Sequence, residues 1–412
     1  MNRLHLLPLA GTVLATAALV AACGGGGGDS SSDAMSTSNG TGTLSLSLTD
    51  APSCGYDSAF VTVEKVRVHQ SSSAGDGDAG WSEVVLNPPQ RVDLLTLTNG
   101  TLMPLGQTEL PAGTYTQMRL VLGSAAPPGW PSATLANAIK PSGGDKEIEL
   151  TTPSGQQSGL KMNVDITVPA GQVADFAIDF DACKSFVKAG NSGKYLLKPV
   201  LSVIPIREDP GQRIVGFVDP SLANTGTIVS AQFAGVPVRA TPPNSTTGRF
   251  VLYPVPAGTY DLVITASGRV NAVMTGVPVA DAVPTLVGSD TARIGTPLST
   301  DSYIASGTIS VNGSTANTGA AVRATQTLSG GPTIEVGYGA ADASAGNYGM
   351  TLPAGAPVKL PYVAGATTFA FAGNPLDAGK YRLEASAPGF AVKTADITLT
   401  TDVATPFVFA FP

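Results

Sequence analysis

Chemistry near neutral pH is usually carried by histidine, an activated cysteine or a pair of carboxylates, and this chain is poor in the first two. Its 412 residues include two histidines and three cysteines. His5 lies in an apolar N-terminal run, so His69 is the one histidine beyond it. It ends an alternating Val66/Val68 stretch and reads as a surface or loop-edge residue. A Ser-His-Asp triad needs a histidine as base, and no Gly-x-Ser-x-Gly accompanies this one. A usual zinc site takes three or four ligands from His, Cys and carboxylates, which one histidine and a cysteine pair committed to a disulfide cannot supply. The glycine runs lack the Lys-Ser/Thr of a phosphate loop. The carboxylates are the better candidates. Asp175, Asp179 and Asp181 alternate with Phe176, Ile178 and Phe180 and should share one strand face, with Asp50 and Asp57 nearby. The expectation is a solvated face partnered by Lys161 and Lys198. Oxygen-rich Ca²⁺ binding is the second reading, although no DxDxDG loop is present, and a glycosidase pair is the third. Trp81 and Trp130 stand beside glycine and proline in loop contexts. Each is read as a ring lidding the end of a sandwich, or as a platform for stacking on a sugar.

The cysteines point to the compartment. Arg3 and the free amine precede an apolar run from Leu4 to Leu19, the layout of a secretory signal. It ends Val20-Ala21-Ala22-Cys23, with small residues where a signal peptidase needs them and a thiol for diacylglyceryl transfer. The pattern resembles the bacterial lipobox, which implies cleavage after residue 22 and acyl chains on Cys23. The alternatives are an ordinary signal peptide or a membrane-spanning anchor. Pro8, Gly11 and two threonines interrupt a run of about the 20 residues that a span requires. Residues 23–41 follow as a Gly/Ser tether with little to bury, expected to be disordered and to reach roughly 25 Å. Residue 24 is Gly, whereas an Asp there retains enterobacterial lipoproteins in the inner membrane. The resemblance therefore implies the outer membrane. With Cys23 assigned to lipid, Cys54 and Cys183 form an even pair in an oxidising space. A disulfide between them would constrain the unfolded chain by up to about 5 kcal/mol; the alternative is two buried thiols.

Composition narrows the class. Loss of residues 1–22 removes Arg3 alone, leaving 22 basic against 30 acidic residues and a net charge of −8. No basic cluster remains, which argues against nucleic acid as a partner. Charged residues are 13% of the chain, with 48 Gly and 32 Pro, as in turn-rich all-β proteins. The mature length is too great for one core. The elements to position the candidate residues are strands. Leu44, Leu46 and Leu48 alternate strictly, as does the run Leu160–Val168. Met118, Leu120 and Leu122 should share one face, with Gln117 and Arg119 on the other. Val61/Val63 and Val66/Val68 alternate out of phase, which predicts a β-bulge near Glu64-Lys65. Leu94–Leu97 reads as a short helical turn or a strand end. Gly113-Thr114-Tyr115, Gly258-Thr259-Tyr260 and Gly379-Lys380-Tyr381 each open a strand, with the tyrosine ring expected inside and its hydroxyl reaching out, as in a tyrosine corner.

The residues Gly42–Leu44, Leu48–Pro52, Val61–His69, Asp93–Gly100, Leu110–Tyr115, Pro153–Lys161 and Asp179–Asp181 together resemble domain-of-unknown-function family 4382, over residues 42–207. The resemblance implies an extracytoplasmic β-domain with no assigned activity. Residues 210–296 carry Ile214–Val218, Val238-Arg239-Ala240, Gly248–Leu252 and Pro256–Leu262, an order that resembles the carboxypeptidase regulatory-like domain, a transthyretin-like sandwich. Residues 302–412 repeat it loosely through Gly307–Ile309, Ala321–Ala324, Asn347–Met350 and Gly379–Leu383, with a divergent insert between Leu352 and Asn374.

The expected architecture is all-β: tandem immunoglobulin-like or transthyretin-like sandwiches behind a signal peptide and flexible linker. The expected role is non-enzymatic and needs no cofactor. It is a lipid-anchored envelope protein presenting modules for binding or scaffolding, with an envelope protein or a glycan as partner. A carbohydrate-binding surface lipoprotein using Trp81 and Trp130 is the alternative.

Overall fold

Apolar residues at every second position give each strand one face to bury, and the computed structural model pairs these faces into sandwiches. It describes residues 40–50, 55–152, 156, 158–207 and 211–411. Residues 1–39, where the signal peptide and most of the tether are expected and which include Cys23, lie outside them, as does Cys54. Among the described residues no helix is long and apolar enough to cross a membrane.

In the first core, a four-stranded sheet runs in the order Leu201–Pro205, Val173–Phe180, Thr41–Asp50, Met103–Pro111. It packs Leu44, Leu46, Leu48, Ile178 and Phe180 against Val61, Val63, Met118, Leu120 and Leu122 of a larger sheet built on Tyr56–His69 and Gly113–Leu122. The phase slip in the sequence is real. The register of Tyr56–His69 shifts between Val63 and Lys65 against both neighbours, so Val63 and Val66 both point inward. Leu94–Thr96 forms a 3-10 turn capped by the Asp93 carboxylate.

The second core lies between the strands Arg249–Leu252, Ile214–Phe217 and Thr285–Val287 and a sheet centred on Gly258–Ala266. The third lies between sheets built on Ser302–Val311 and Ala321–Thr327. Both repeats share a packing device. Gly216 faces Phe250 across an antiparallel pair, and Gly307 faces Tyr348. A Cβ at Gly216 would lie 2.4 Å from the Phe250 ring, and one at Gly307 2.1 Å from Thr405 O and 2.9 Å from the Tyr348 ring. At Gly216 the missing side chain is the space the ring fills; at Gly307 it also lets the Thr405 backbone approach.

The tyrosine corners follow from local sequence. Tyr115 and Tyr260 bury their rings and donate to the carbonyls of Pro111 and Pro256, both at 2.8 Å. Pro-Ala-Gly-Thr-Tyr sets that four-residue return. The third copy has Asp377 in place of the proline. There Tyr381 reaches Pro353 O at 2.5 Å and accepts from Asn271 of the second core at 3.3 Å.

The cores are more than a row. Residues 39–412 form one unit. Val358–Pro361, inside the divergent insert, pairs in parallel with Ala272–Val279 and extends the second sheet. Val358 is buried in that core, and Phe369 and Phe371 pack on it. A separate cluster joins Val263 and Val273 of the second sheet to Leu328 and Ile334 of the third.

Candidate functional site

The acidic strand departs from expectation. Asp179 and Asp181 lie at the C-terminal end of Val173–Phe180, beside the parallel strand Thr41–Asp50. This end is not solvated, because Arg239, on Val236–Thr241 of the second core, enters it. Its guanidinium binds the Asp179 carboxylate, Thr49 Oγ1 at 2.5 Å, Asp50 O at 2.9 Å and Tyr253 O at 3.1 Å. The Arg239 side chain is 2% exposed and that of Asp179 10%. Asp50 is fully buried, and its Oδ1 accepts from Ala182 N at 3.0 Å. Its Oδ2 has no partner. Burial pushes this carboxyl well above the ordinary range, with the charges of Asp179 and Asp181 adding to the effect.

Asp181 leaves the strand to cap the helical turn Ala182–Ser185, accepting from Lys184 N at 3.1 Å. Burial raises it to about 6, against the pull of Lys184. Lys184 Nζ lies 2.7 Å from Glu335 of the third core. The Glu335 backbone is clamped by Gln232 of the second core, accepting and donating at 2.8 Å each. Where the three cores meet, Asp181, Lys184, Ser230, Gln232, Glu335 and Tyr338 line a cavity of about 250 Å³. Burial, reinforced by Asp181 and Glu335, pushes the Tyr338 hydroxyl up to about 12.

Among the described residues neither expected lysine forms an ion pair with these aspartates. Lys161 donates to Ser72 O at 2.8 Å, and burial lowers Lys198. Asp57 sits near Lys140 at 4.0 Å. Asp175 pairs with Ser45 in the sheet. With Asp179 held by Arg239 and Asp181 capping the turn, the three aspartates do not converge on one ligand. Among the described residues no group of three or more His, Cys, Asp or Glu is arranged to hold a metal ion.

Arg239 carried one sequence signal that went unread. It is the middle residue of Val238-Arg239-Ala240, and Arg323 holds the same place in Val322-Arg323-Ala324. Arg239 reaches the first core from the second. Arg323 reaches the second from the third, donating to Gly235 O at 3.3 Å while pairing with Glu384 at 2.7 Å. The repeated arginine marks a joint. Asn99, in the loop after Leu94–Thr96, makes another, bonding Thr241 Oγ1, Pro242 O and Val251 N.

His69 is engaged through both ring nitrogens. Nδ1 accepts from Ser71 N at 2.8 Å, so Nε2 carries the proton and donates to Ala79 O at 3.0 Å. This ties down residues 70–81, which cover the outer face of the larger sheet. Gln117 and Arg119, on the face opposite Met118, Leu120 and Leu122, are therefore buried as well. Trp81 is packed between guanidinium groups, with Arg67 at 4.5 Å and Arg119 at 4.8 Å from its ring centre and His69 at 5.1 Å. It is not an open sugar platform.

Trp130 differs. It is 47% exposed and stands at a polar cleft of about 340 Å³ that includes Ser132, Thr134, Asn137, Glu149 and Gln156. Arg91, stacked on Phe60 at 3.7 Å, supports the ring from 5.1 Å. The loop is tied at its base: Asn137 accepts from Thr62 N at 3.0 Å and donates to Gly123 O at 2.8 Å. Cys183 lies in the turn Ala182–Ser185, while Cys54 falls outside the described residues.

Among solved structures, the chain is similar to the Bacillus anthracis TIE protein, with 13% identity over 90% of this chain and 51% of that one and a TM-score of 0.17. It thus spans about half of that protein's length. A streptococcal ancillary pilin is matched at 9% identity over 90% and 98% of the two chains, TM-score 0.18. The Corynebacterium diphtheriae major pilin SpaA is matched at 9% identity over 90% and 99%, TM-score 0.18. Likeness at this level carries no argument about function. No curated protein gives a significant match. The sequence comparison that does match is confined to the first core, where residues 41–199 fit the family model described as a domain of unknown function, DUF4382.

Proposed function

We propose that this protein is a lipid-anchored component of the cell envelope, held at Cys23, that presents three interlocked β-sandwiches as a non-catalytic platform for binding or scaffolding. One observation carries the reading: Arg239, Asp179, Lys184, Glu335 and His69, all suited to chemistry, are spent on structural contacts. Arg239, Asp179, Lys184 and Glu335 spend their charges between cores, and His69 spends both nitrogens on one loop. Such a body keeps a fixed outline at the end of a tether, which suits display. The outer membrane is the expected location, and a Cys54–Cys183 disulfide would brace the end of the first core where Asp181 and Lys184 meet the other two.

The anchor is tested by labelling cells with a palmitate analogue and fractionating membranes. The parent should carry label and sediment with outer membrane. A Cys23→Ser form that still incorporates label ends the anchor reading. Glycan turnover abolished by Asp179→Asn would overturn the non-catalytic one.

The exposed ring of Trp130 beside a polar cleft favours a second reading, carbohydrate binding there. An exposed aromatic ring with hydroxyl and carboxamide neighbours matches the alternating apolar and polar faces of a sugar. On a glycan array the parent should retain a ligand that Trp130→Ala loses. Equal retention by both, or none by the parent, removes this reading.

A further inference from the structure

Residues 70–81 cover a basic row that crosses the larger sheet of the first core. Lys161, Arg119 and Arg67 are successive cross-strand neighbours, and Glu83 follows on the far side of Arg67. Three adjacent cations on one face repel one another, and such rows are held together by anions. Here Glu83 Oε1 pairs with Arg67 Nε at 2.8 Å, and the loop supplies the remaining acceptors. Arg119 Nη2 donates to Ala74 O at 2.9 Å, Lys161 to Ser72 O, and Trp81 Nε1 to Gly75 O at 2.9 Å. Between Arg67 and Arg119 stands a carboxylate of the loop. Asp76 Oδ1 lies 2.5 Å from Arg67 Nη1 and 3.4 Å from Arg119 Nη1.

This contact is asymmetric. The Asp76 side chain is 52% exposed, while those of Arg67 and Arg119 are 14% and 8% exposed. Arg119 Nε, buried, has no hydrogen-bond partner. A carboxylate reaching from solvent to two buried guanidiniums occupies the place an external anion would take.

The geometry points to an anion-binding site on Arg67 and Arg119 that Asp76 occupies as a built-in plug, and whose ligand is a carboxylate or sulfate group of an acidic polysaccharide. Trp81 and Lys161 flank it. The site is separate from the Trp130 cleft and independent of any glycan bound there. The protein's net negative charge disfavours polyanions in general, so binding has to come from this local pair.

The test uses the full mature chain and three polymers: heparin for sulfate, polygalacturonate for carboxylate and dextran as the neutral control. Asp76→Asn removes the plug's charge and keeps its shape. Asp145→Asn, on an exposed loop, makes the same change in net charge elsewhere. Isothermal titration at low salt should show Asp76→Asn binding at least one acidic polymer about tenfold more tightly than parent and Asp145→Asn, the scale of one charge-assisted contact. The gain should fall with added salt and disappear in Asp76→Asn/Arg67→Gln. Whether heparin or polygalacturonate gains more identifies the anion. No gain over Asp145→Asn, or a gain that survives Arg67→Gln in a folded double variant, overturns the proposal, as does equal binding of dextran.

Discussion

Replacing Arg239 by methionine keeps the aliphatic stem and removes the guanidinium from the joint between the first and second cores. The loss is not one contact. The Asp179 carboxylate, 10% exposed, keeps its charge without a partner, beside the buried Asp50 and Asp181. Thr49 Oγ1, Asp50 O and Tyr253 O each lose a donor. Removing one member of a buried ion pair costs about 3–5 kcal/mol, chiefly through the stranded charge. At about 2 °C per kcal/mol for a unit this large, the transition should fall by roughly 6–10 °C in calorimetry. The double variant Arg239→Met/Asp179→Asn separates stranded charge from lost packing. It should recover at least about 2 kcal/mol of the loss, because the carboxamide can stay buried without an ionic partner. A shift under about 2 °C, or a double variant no more stable than the single one, refutes the account of Arg239 as the joint.

Tyr115→Phe and Tyr260→Phe should each cost about 1 kcal/mol in urea denaturation, the value of one hydroxyl-to-carbonyl bond. Tyr381→Phe should cost more, since Asn271 also loses an acceptor in the interface. Asp181 titrates at about 6 in the fold, above its ordinary 3.8, so the folded state holds the proton more tightly. Its contribution to stability is full below about 3.8 and is lost as pH rises through about 6. Asp181→Asn keeps the helix cap and should flatten the fall in urea midpoint between pH 4 and 6.5; an unchanged slope would contradict this. Thiol counting on the denatured mature protein without reductant should find none reactive, and two would sink the Cys54–Cys183 disulfide.

What the sequence revealed was whatever depends on neighbours along the chain. The bulge at Glu64 showed as a slip in alternation, because a two-residue period leaves no other way to keep Val63 and Val66 both inside. The corners at Tyr115 and Tyr260 showed because Pro-Ala-Gly-Thr-Tyr holds donor and acceptor four residues apart. The acidic strand was placed correctly and its surroundings were not. Alternation says which residues share a face, and nothing about what covers that face. Asp179 meets Arg239 across 60 residues and Lys184 meets Glu335 across 151. The same limit applies to Gln117 and Arg119. Their shared face, opposite Met118, Leu120 and Leu122, was legible, but the loop of residues 70–81 that buries them was not. Trp81 and Trp130 look alike in sequence, each in a loop among small residues. Two cross-strand arginines enclose the first, and the second has one behind it and solvent in front.

The insert between Leu352 and Asn374 broke the third repeat in the sequence, and its strand shows why. Val358–Pro361 belongs by position to the third repeat and by pairing to the second sheet. A chain ending at residue 300 would keep the second core's own residues and lose this strand. Ala272–Val279 would become an open edge, and Val263 and Val273, both fully buried against Leu328 and Ile334, would face water. Each such side chain is worth roughly 2 kcal/mol when buried, and an unpaired apolar edge is a template for association. The truncated protein should therefore self-associate at micromolar concentrations in sedimentation velocity, where the full chain should not. Val273→Lys in the same truncation places a charge on the exposed face and should restore the monomer. A truncated protein that is already monomeric, with a second core as stable as in the full chain, would mean that the donated strand is an ornament of the third repeat. If it associates and the lysine reverses it, the three sandwiches are one folding unit, and the unit to test for binding is the whole chain.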